Sequence, residues 1–186
     1  MHLLIKAITD PENPRNDNSD KKPLFPSGTF QLASNQREAW AFVHDDGIAR
    51  NISYQLQYIE FLVRLYNEYQ FYLTFESLLC KNILISVNSI MEAALYDAIL
   101  HIRTVGNMTG EWRSDYTALL GQAYHSYGLI DRELWHFFHD LRKERNNLHL
   151  HALTEREFGH YNITQTNEAL EKLEQFRQAM SGAVEG

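Results

Sequence analysis

The residues best suited to chemistry lie in one short stretch, in which arginines are closely followed by histidines. Residues 142–151 read Arg-Lys-Glu-Arg-Asn-Asn-Leu-His-Leu-His, with Arg142, Arg145, His149 and His151 as the reactive side chains. A guanidinium can hold a phosphate through two parallel hydrogen bonds. An imidazole can accept or donate a proton near neutral pH. This combination of side chains is therefore suited to phosphodiester chemistry.

The basic stretch follows a segment whose apolar residues have the spacing of a helix. Ile130, Leu134, Phe137 and Leu141 recur at intervals of four, three and four residues, as the buried stripe of a helix does. The next position of this stripe falls near Arg145, and a guanidinium is rarely buried without a partner. The spacing is equally compatible with a structural role, because basic residues stabilise the carbonyl end of a helix.

Helical geometry leaves two histidines as alternatives. On a regular helix, at about 100° per residue, Arg142, Arg145 and His149 fall within one narrow sector and His151 points away. The pair Asn146–Asn147 favours the end of a helix, and an unwound chain would let His151 swing back towards Arg145. The spacing alone does not choose between the two histidines.

Composition and charge limit what the rest of the chain can be. The chain has 186 residues, of which 44% are hydrophobic, so we expect one domain, or one domain with an appendage. The formal net charge is −7, so a nucleic-acid site has to be a local basic patch. Cys80 is the only cysteine, which excludes an internal disulfide and fits a reducing, cytoplasmic location. We expect no signal peptide and no membrane span, because the apolar stretches are too short or carry charges.

The chain is expected to divide near residue 34. Residues 1–34 are rich in turn- and disorder-promoting residues, and they should form a mostly irregular N-terminal arm with at most a short strand at Leu3–Ile8. Asn35 and Glu38 are typical of a helix start. The helices predicted from there to residue 182 are 35–69, interrupted near 45–47, then 75–103, 115–125, 131–146 and 164–180. The pattern indicates an all-α bundle of four to five helices.

The apolar spacing also predicts which helix faces are buried. In the second long helix, two adjacent stripes predict a central helix that is covered on most sides. The two stripes consist of Ile83, Val87, Ile90 and Ala94, and of Leu84, Met91 and Leu95. The first long helix should face inward with Ile48, Ile52, Ile59, Val63 and Tyr66, and the last with Leu170, Leu173, Phe176 and Met180.

The segment from Ile130 to His151 resembles the signature of the HEPN superfamily (higher eukaryotes and prokaryotes nucleotide-binding). That signature is an arginine, usually followed by a polar residue such as asparagine, with four to six residues between the arginine and a histidine. Arg145 followed by Asn146 is similar to it, with five residues before His151. The commonest form, with four residues between, would place the histidine at Leu150.

A second alignment of the same signature uses the other histidine. Arg142 and His149 have six residues between them, although Lys143 then replaces the polar residue. Residues 86–95, with small residues followed by Glu92, are similar to a helix of the HEPN bundles. The resemblance covers roughly residues 50–180, and the choice between His149 and His151 stays open.

The resemblance implies a homodimer of HEPN-like helical bundles in which two motifs face one cleft. Many members of the superfamily are metal-independent ribonucleases that act as toxins or in RNA processing and defence, and others bind RNA or nucleotides without cutting them. In a nuclease, His151 or His149 would transfer protons around the ribose 2′-OH, and Arg145 would stabilise the phosphate in the transition state. Asn146 would orient this pair or the substrate.

The remaining implied roles concern supporting residues and partners. Arg142 and Lys143 would bind the substrate, and Glu92 would be a buried partner of Arg145. The partners implied are RNA or a nucleotide, a second copy of the chain and, for a toxin, an antitoxin protein, with no metal or other cofactor. The alternative function is a non-catalytic helical interaction module that homodimerises in the same way.

Two other sets of residues have functional spacing. Glu133–His136 and Glu157–His160 are Glu-x-x-His pairs of the kind found in di-iron bundles, but the ligand set is incomplete and Gly159 falls within the second pair. Tyrosines at helical spacing could stack nucleobases but are more often core-edge or interface residues. These tyrosines are Tyr54, Tyr58, Tyr66, Tyr69 and Tyr72.

Overall fold

The computed structural model of the chain describes residues 30–146 and 161–184, without the side chains of residues 145, 146, 183 and 184. Contacts divide the chain into two units, Met1–Phe30 and Gln31–Gly186. Within the described residues, the second unit consists of helices and connections without strands, which confirms the predicted all-α class. The helices are α1 (Ala33–Ala39), α2 (Asp46–Glu68), α3 (Thr74–Val105), α4 (Tyr116–Gly121), α5 (Arg132–Asn146) and α6 (Ile163–Val184), with a π-helical segment, Gln122–Ser126, directly after α4. The strand considered at Leu3–Ile8 lies outside the described residues.

The first two helices differ in detail from the sequence prediction. α1 begins at Ala33, so Asn35 lies inside the helix and is not its cap. The predicted interruption near residues 45–47 is the start of α2, where the Asp45 carboxylate accepts a hydrogen bond from the Ile48 backbone N–H at 2.8 Å. Because this acceptor satisfies one of the free amides of the first turn, the chain begins a new helix there.

α3 is the central helix of the bundle, as its two apolar stripes predict. Every residue of both stripes is buried, and α3 packs against α2, α4, α5 and α6. By length and composition alone, α3 could also cross a membrane, but 67% of its most apolar 18-residue window is buried inside the protein. This burial is typical of the core helix of a helical bundle.

α5 carries the basic stretch at its end. It begins after Asp131, next to the predicted start at residue 131, and the Asp131 carboxylate accepts a hydrogen bond from the Leu134 backbone N–H at 2.8 Å. The predicted stripe is wrong at one position, because Phe138 is fully buried while Phe137 is only partly buried. Phe138 packs edge-to-face on Phe176 of α6, with 6.3 Å between ring centroids. The buried residues of α5 are therefore Leu134, Phe138 and Leu141.

α5 runs antiparallel to α3. Leu129, just before α5, lines a small cavity together with Ala98 and Ile102 of α3. Towards the other end of α5, the side-chain amide of Asn88 donates to the Leu141 carbonyl at 3.4 Å. The last turn of α5, where the basic stretch begins, therefore lies beside the first half of α3.

Candidate functional site

The structure describes only part of the predicted site. Arg142 and Lys143 are described completely, and Arg145 and Asn146 are described as backbone in the last turn of α5. His149 and His151 lie outside the described residues. Whether a histidine meets Arg145, and which one, therefore stays a prediction.

Arg142 and Lys143 point to different surroundings. Arg142 is half-buried, and its buried Nε has no hydrogen-bond partner among the described residues. Lys143 is exposed and donates to the Asp140 carboxylate at 2.9 Å. A buried donor without a partner costs roughly 1–3 kcal/mol, whereas the Lys143 ammonium is exposed and already has an anionic neighbour.

Asn88 is a buried polar residue that sequence reasoning did not single out for function. It lies on the central helix, and its amide N–H₂ donates to the carbonyls of Leu84 at 3.2 Å and Leu141 at 3.4 Å. Its side-chain oxygen is buried without a hydrogen-bond partner among the described residues. Asn88 thus ties α3 to α5 one turn before position 145. The only sequence signal was an asparagine between the apolar residues of a buried stripe.

Glu92 is partly buried on α3, one turn beyond Asn88. Because α5 runs the other way, position 145 lies one turn beyond Leu141 in the opposite direction. The two backbone positions are therefore offset by roughly 12 Å along the helix axes, at 1.5 Å per residue. The predicted pairing of Glu92 with Arg145 involves an undescribed side chain and stays a prediction.

The space between α5 and α6 is unsuited to a phosphate. A cavity of about 240 Å³ lies there, beside the end of α5. Its polar lining includes the carboxylates of Asp140, Glu144 and Glu168. Like charges would repel a polyanion, so this cavity is not a candidate phosphate site.

The di-iron hypothesis finds no support in the part of the chain that is described. Glu133 forms an ion pair with Lys172 of α6, and His136 is within hydrogen-bond distance of the Arg132 guanidinium, at 3.2 Å. Among residues 30–146 and 161–184, no three His, Cys, Asp or Glu side chains are grouped so that they could hold a metal ion. The second pair, Glu157–His160, lies outside the described residues.

A cluster of aromatic and histidine rings covers one flank of α5, next to its buried face. Trp135 lies at its centre and stacks on His139, with ring centroids 5.3 Å apart and planes 9° apart. His136 lies edge-on to the same indole at 4.7 Å. From the π-helical segment, Tyr124 and His125 reach Trp135 at 5.6 Å and 5.8 Å. We call these five residues the aromatic–histidine surface.

Burial and nearby cations keep one of these histidines neutral. Burial lowers the pKa of His139, and the neighbouring cations of Lys143 and Arg142 lower it further. His139 is therefore predominantly uncharged at neutral pH. The neutral imidazole packs parallel to the indole of Trp135, so the two rings form one aromatic stack.

A second histidine cluster lies between α3 and the start of α2. The Asp97 carboxylate is buried and accepts hydrogen bonds from the backbone N–H groups of His44 at 2.7 Å and Asp45 at 2.8 Å. It also lies 3.2 Å from Nδ1 of His44, whose ring stacks on His101 with centroids 3.5 Å apart. Since Asp97 satisfies two backbone amides, it holds the segment before α2 on the central helix. The two histidines border a largely apolar cavity of about 220 Å³.

No protein-family model, no curated protein and no solved structure matches the chain. The resemblance to the HEPN superfamily therefore rests on the residues of the motif and on the all-α fold.

Proposed function

We propose that the chain is an HEPN-like RNA-binding protein that cleaves RNA without a metal ion, at the end of α5. Arg145 stabilises the phosphate, Asn146 orients the reacting groups, and His151 transfers protons, with His149 as the alternative. The observation that supports the proposal is the arrangement of side chains on one flank of α5. There, Trp135, His139 and Arg142 occupy one helix sector that leads, at the same spacing, to position 146 of the motif.

The chemistry needs only groups that the motif provides. The ribose 2′-oxygen attacks the adjacent phosphorus, its proton passes to a base, and the departing 5′-oxygen receives a proton. The products are a 2′,3′-cyclic phosphate and a 5′-hydroxyl end. An imidazole supplies the proton transfer, and a guanidinium stabilises the charge that develops on the phosphate.

A second function is favoured by a different surface. At the connection between α2 and α3, Tyr69, Tyr72, Leu73 and Phe75 are all exposed, with Tyr72 at 69% and Phe75 at 68% of their full accessible area. Adjacent exposed apolar side chains of this size are typical of protein–protein contacts. They support the alternative of a non-catalytic module that forms a homodimer, and they also suit a nuclease whose site is shared by two copies.

Cleavage of single-stranded RNA in the presence of EDTA tests the proposal. We expect the wild-type protein to cut and to leave cyclic phosphate ends, and His151→Ala to lower the rate by roughly 10²–10⁴-fold, the usual contribution of a proton-transfer group. His149→Ala is the parallel variant, and His101→Ala, in the other histidine cluster, is the control that should cut normally. A His149/His151 double alanine variant that cuts as fast as wild type would disprove the assignment.

Arg145→Ala separates a catalytic role from a structural one. A catalytic arginine can be removed with little change in melting temperature, whereas an arginine paired in the core leaves its partner unpaired and destabilises the fold. We expect an unchanged melting temperature and a loss of cleavage. A large fall in melting temperature would support the structural role, and binding of RNA without any cleavage would support the non-catalytic module.

A further inference from the structure

The aromatic–histidine surface has the composition and shape of a stacking platform, and it lies outside the predicted motif. We propose that this surface, together with Arg132 and Arg142, is a track that binds single-stranded RNA and leads it to the end of α5. The proposal rests on the proposed function for the choice of RNA as the nucleic acid. It adds a binding site whose rings lie 6 to 21 residues before Arg145 in sequence.

The helical register aligns the track with the motif. At about 100° per residue, positions 135, 139, 142 and 146 fall within a sector of about 60°. Arg132, His136 and Lys143 occupy the next sector, on the side away from the core. From position 135 to position 146 the helix rises by about 16 Å, which corresponds to four or five stacked nucleotides at roughly 3.4 Å each.

The rings of the track can stack nucleobases. Trp135 is only partly buried, and His125 and His136 are exposed. The π-helical segment brings Tyr124 and His125 to Trp135 from a second element, and such segments occur frequently at functional sites. Aromatic side chains next to cationic ones are the usual means of holding single strands without sequence preference.

The charges on α5 favour a polyanion on this side only. Arg132 and Arg142 lie at the two ends of the cluster. The carboxylates of Asp140 and Glu144 line the cavity next to α6, and that of Asp140 is paired with Lys143. With a formal net charge of −7 for the whole chain, attraction of a phosphate backbone requires such a local separation of charge.

Binding of a single strand that cannot be cut tests the track separately from catalysis. The probe is a fluorescein-labelled 12-nucleotide 2′-O-methyl RNA, because its blocked 2′-oxygen cannot attack, and fluorescence anisotropy measures its Kd in EDTA. We expect Trp135→Leu to weaken binding roughly 5- to 150-fold, the range for one base–aromatic stack. The matched control is Trp112→Leu, which removes an indole that is not part of the aromatic–histidine surface and packs on Tyr96 at 5.6 Å; this variant should bind normally.

The salt dependence of binding tests the cationic residues of the track separately. Arg132→Gln should reduce the slope of log Kd against log salt by about 0.7, the value for one phosphate contact on a single strand. The same sequence as a blunt duplex should bind more weakly than the single strand, because paired bases are not free to stack. His136→Ala, at an exposed position, repeats the stacking test if Trp135→Leu proves unstable.

Each outcome decides one of the two proposals. A protein that binds the single strand through Trp135 but never cuts RNA retains the track and loses the nuclease proposal. A protein that cuts RNA while Trp135→Leu, His136→Ala and Arg132→Gln bind within twofold of wild type retains the nuclease and loses the track. Polyglutamate that competes as well as RNA, with the same dependence on Trp135, would overturn the assignment of the surface to nucleic acid.

Discussion

Replacing Asp97 by asparagine should destabilise the protein strongly, although the two side chains have nearly the same shape. Asp97 is 4% exposed. One carboxylate oxygen accepts from the backbone N–H of His44 at 2.7 Å, and the other accepts from that of Asp45 at 2.8 Å. Asparagine has only one oxygen. One of the two backbone N–H groups must therefore face another donor.

The magnitude follows from the number of hydrogen bonds that are lost. A hydrogen bond to a charged group contributes about 1.5–3 kcal/mol, and a buried donor left unsatisfied costs about 1–3 kcal/mol. Because these two terms partly describe the same event, we expect a loss of about 3 kcal/mol in the free energy of unfolding. That is a large part of the total of about 5–15 kcal/mol for a domain, and it corresponds to a fall in melting temperature of roughly 6–12 °C.

Urea denaturation measures this loss as a lower midpoint at an unchanged slope. The control is Asp140→Asn, which removes an exposed carboxylate whose partner is the surface Lys143 and should change the free energy of unfolding by about 0.5 kcal/mol or less. If Asp97→Asn were as mild as the control, Asp97 would not be what holds the segment before α2 on the central helix.

Three further outcomes are expected. Sedimentation at micromolar concentration should show that the wild-type protein is a dimer. The double variant Tyr72→Ser/Phe75→Ser should be a monomer, because both rings are exposed at the α2–α3 connection. A monomeric wild type would count against a site that is shared by two copies. The free energy of unfolding should fall as the pH is lowered from about 6.5, because the folded protein holds the pKa of His139 below its usual value and so binds fewer protons than the unfolded chain. His139→Gln should make the free energy of unfolding depend less on pH. A variant with the same pH profile as wild type would refute this role of His139. Asn88→Leu should leave the free energy of unfolding nearly unchanged, since one polar atom of Asn88 is already unsatisfied. The variant should lower RNA cleavage, because it removes the hydrogen bond to the Leu141 carbonyl. Unchanged cleavage would show that Asn88 does not position the site.

The sequence predicted those elements whose signals are local and strong. The stripes of α3 are long and almost wholly apolar, so their burial could be derived from periodicity alone. The start of α5 was equally clear, because Asp131 precedes a regular apolar pattern and its carboxylate caps the first turn. Periodicity failed where two neighbours were equally apolar. Either Phe137 or Phe138 fits a stripe, and only the contact with Phe176 of α6 selects Phe138.

Features that join distant residues could not be predicted from the sequence. His44 and Asp97 are 53 residues apart, and nothing near either residue indicates the other. The aromatic–histidine surface also depends on two elements, because a π-helical segment, which has no clear sequence signal, brings Tyr124 and His125 to Trp135. For the motif itself, spacing predicts which residue types would react but does not choose between His149 and His151.

The three sides of α5 together limit how a substrate could reach the motif. One side is buried by Leu134, Phe138 and Leu141, and no ligand can approach through the core. The second side carries the carboxylates of Asp140 and Glu144 and repels phosphates. Only the aromatic–histidine side combines exposed rings with cations, and its sector reaches position 146 at the end of the helix. A strand held there would arrive at Arg145 from the Trp135 side, so Trp135→Leu should raise KM for single-stranded RNA while leaving kcat nearly unchanged. A fall in kcat alone would instead place Trp135 in the reacting centre, and this part of the argument would then be wrong.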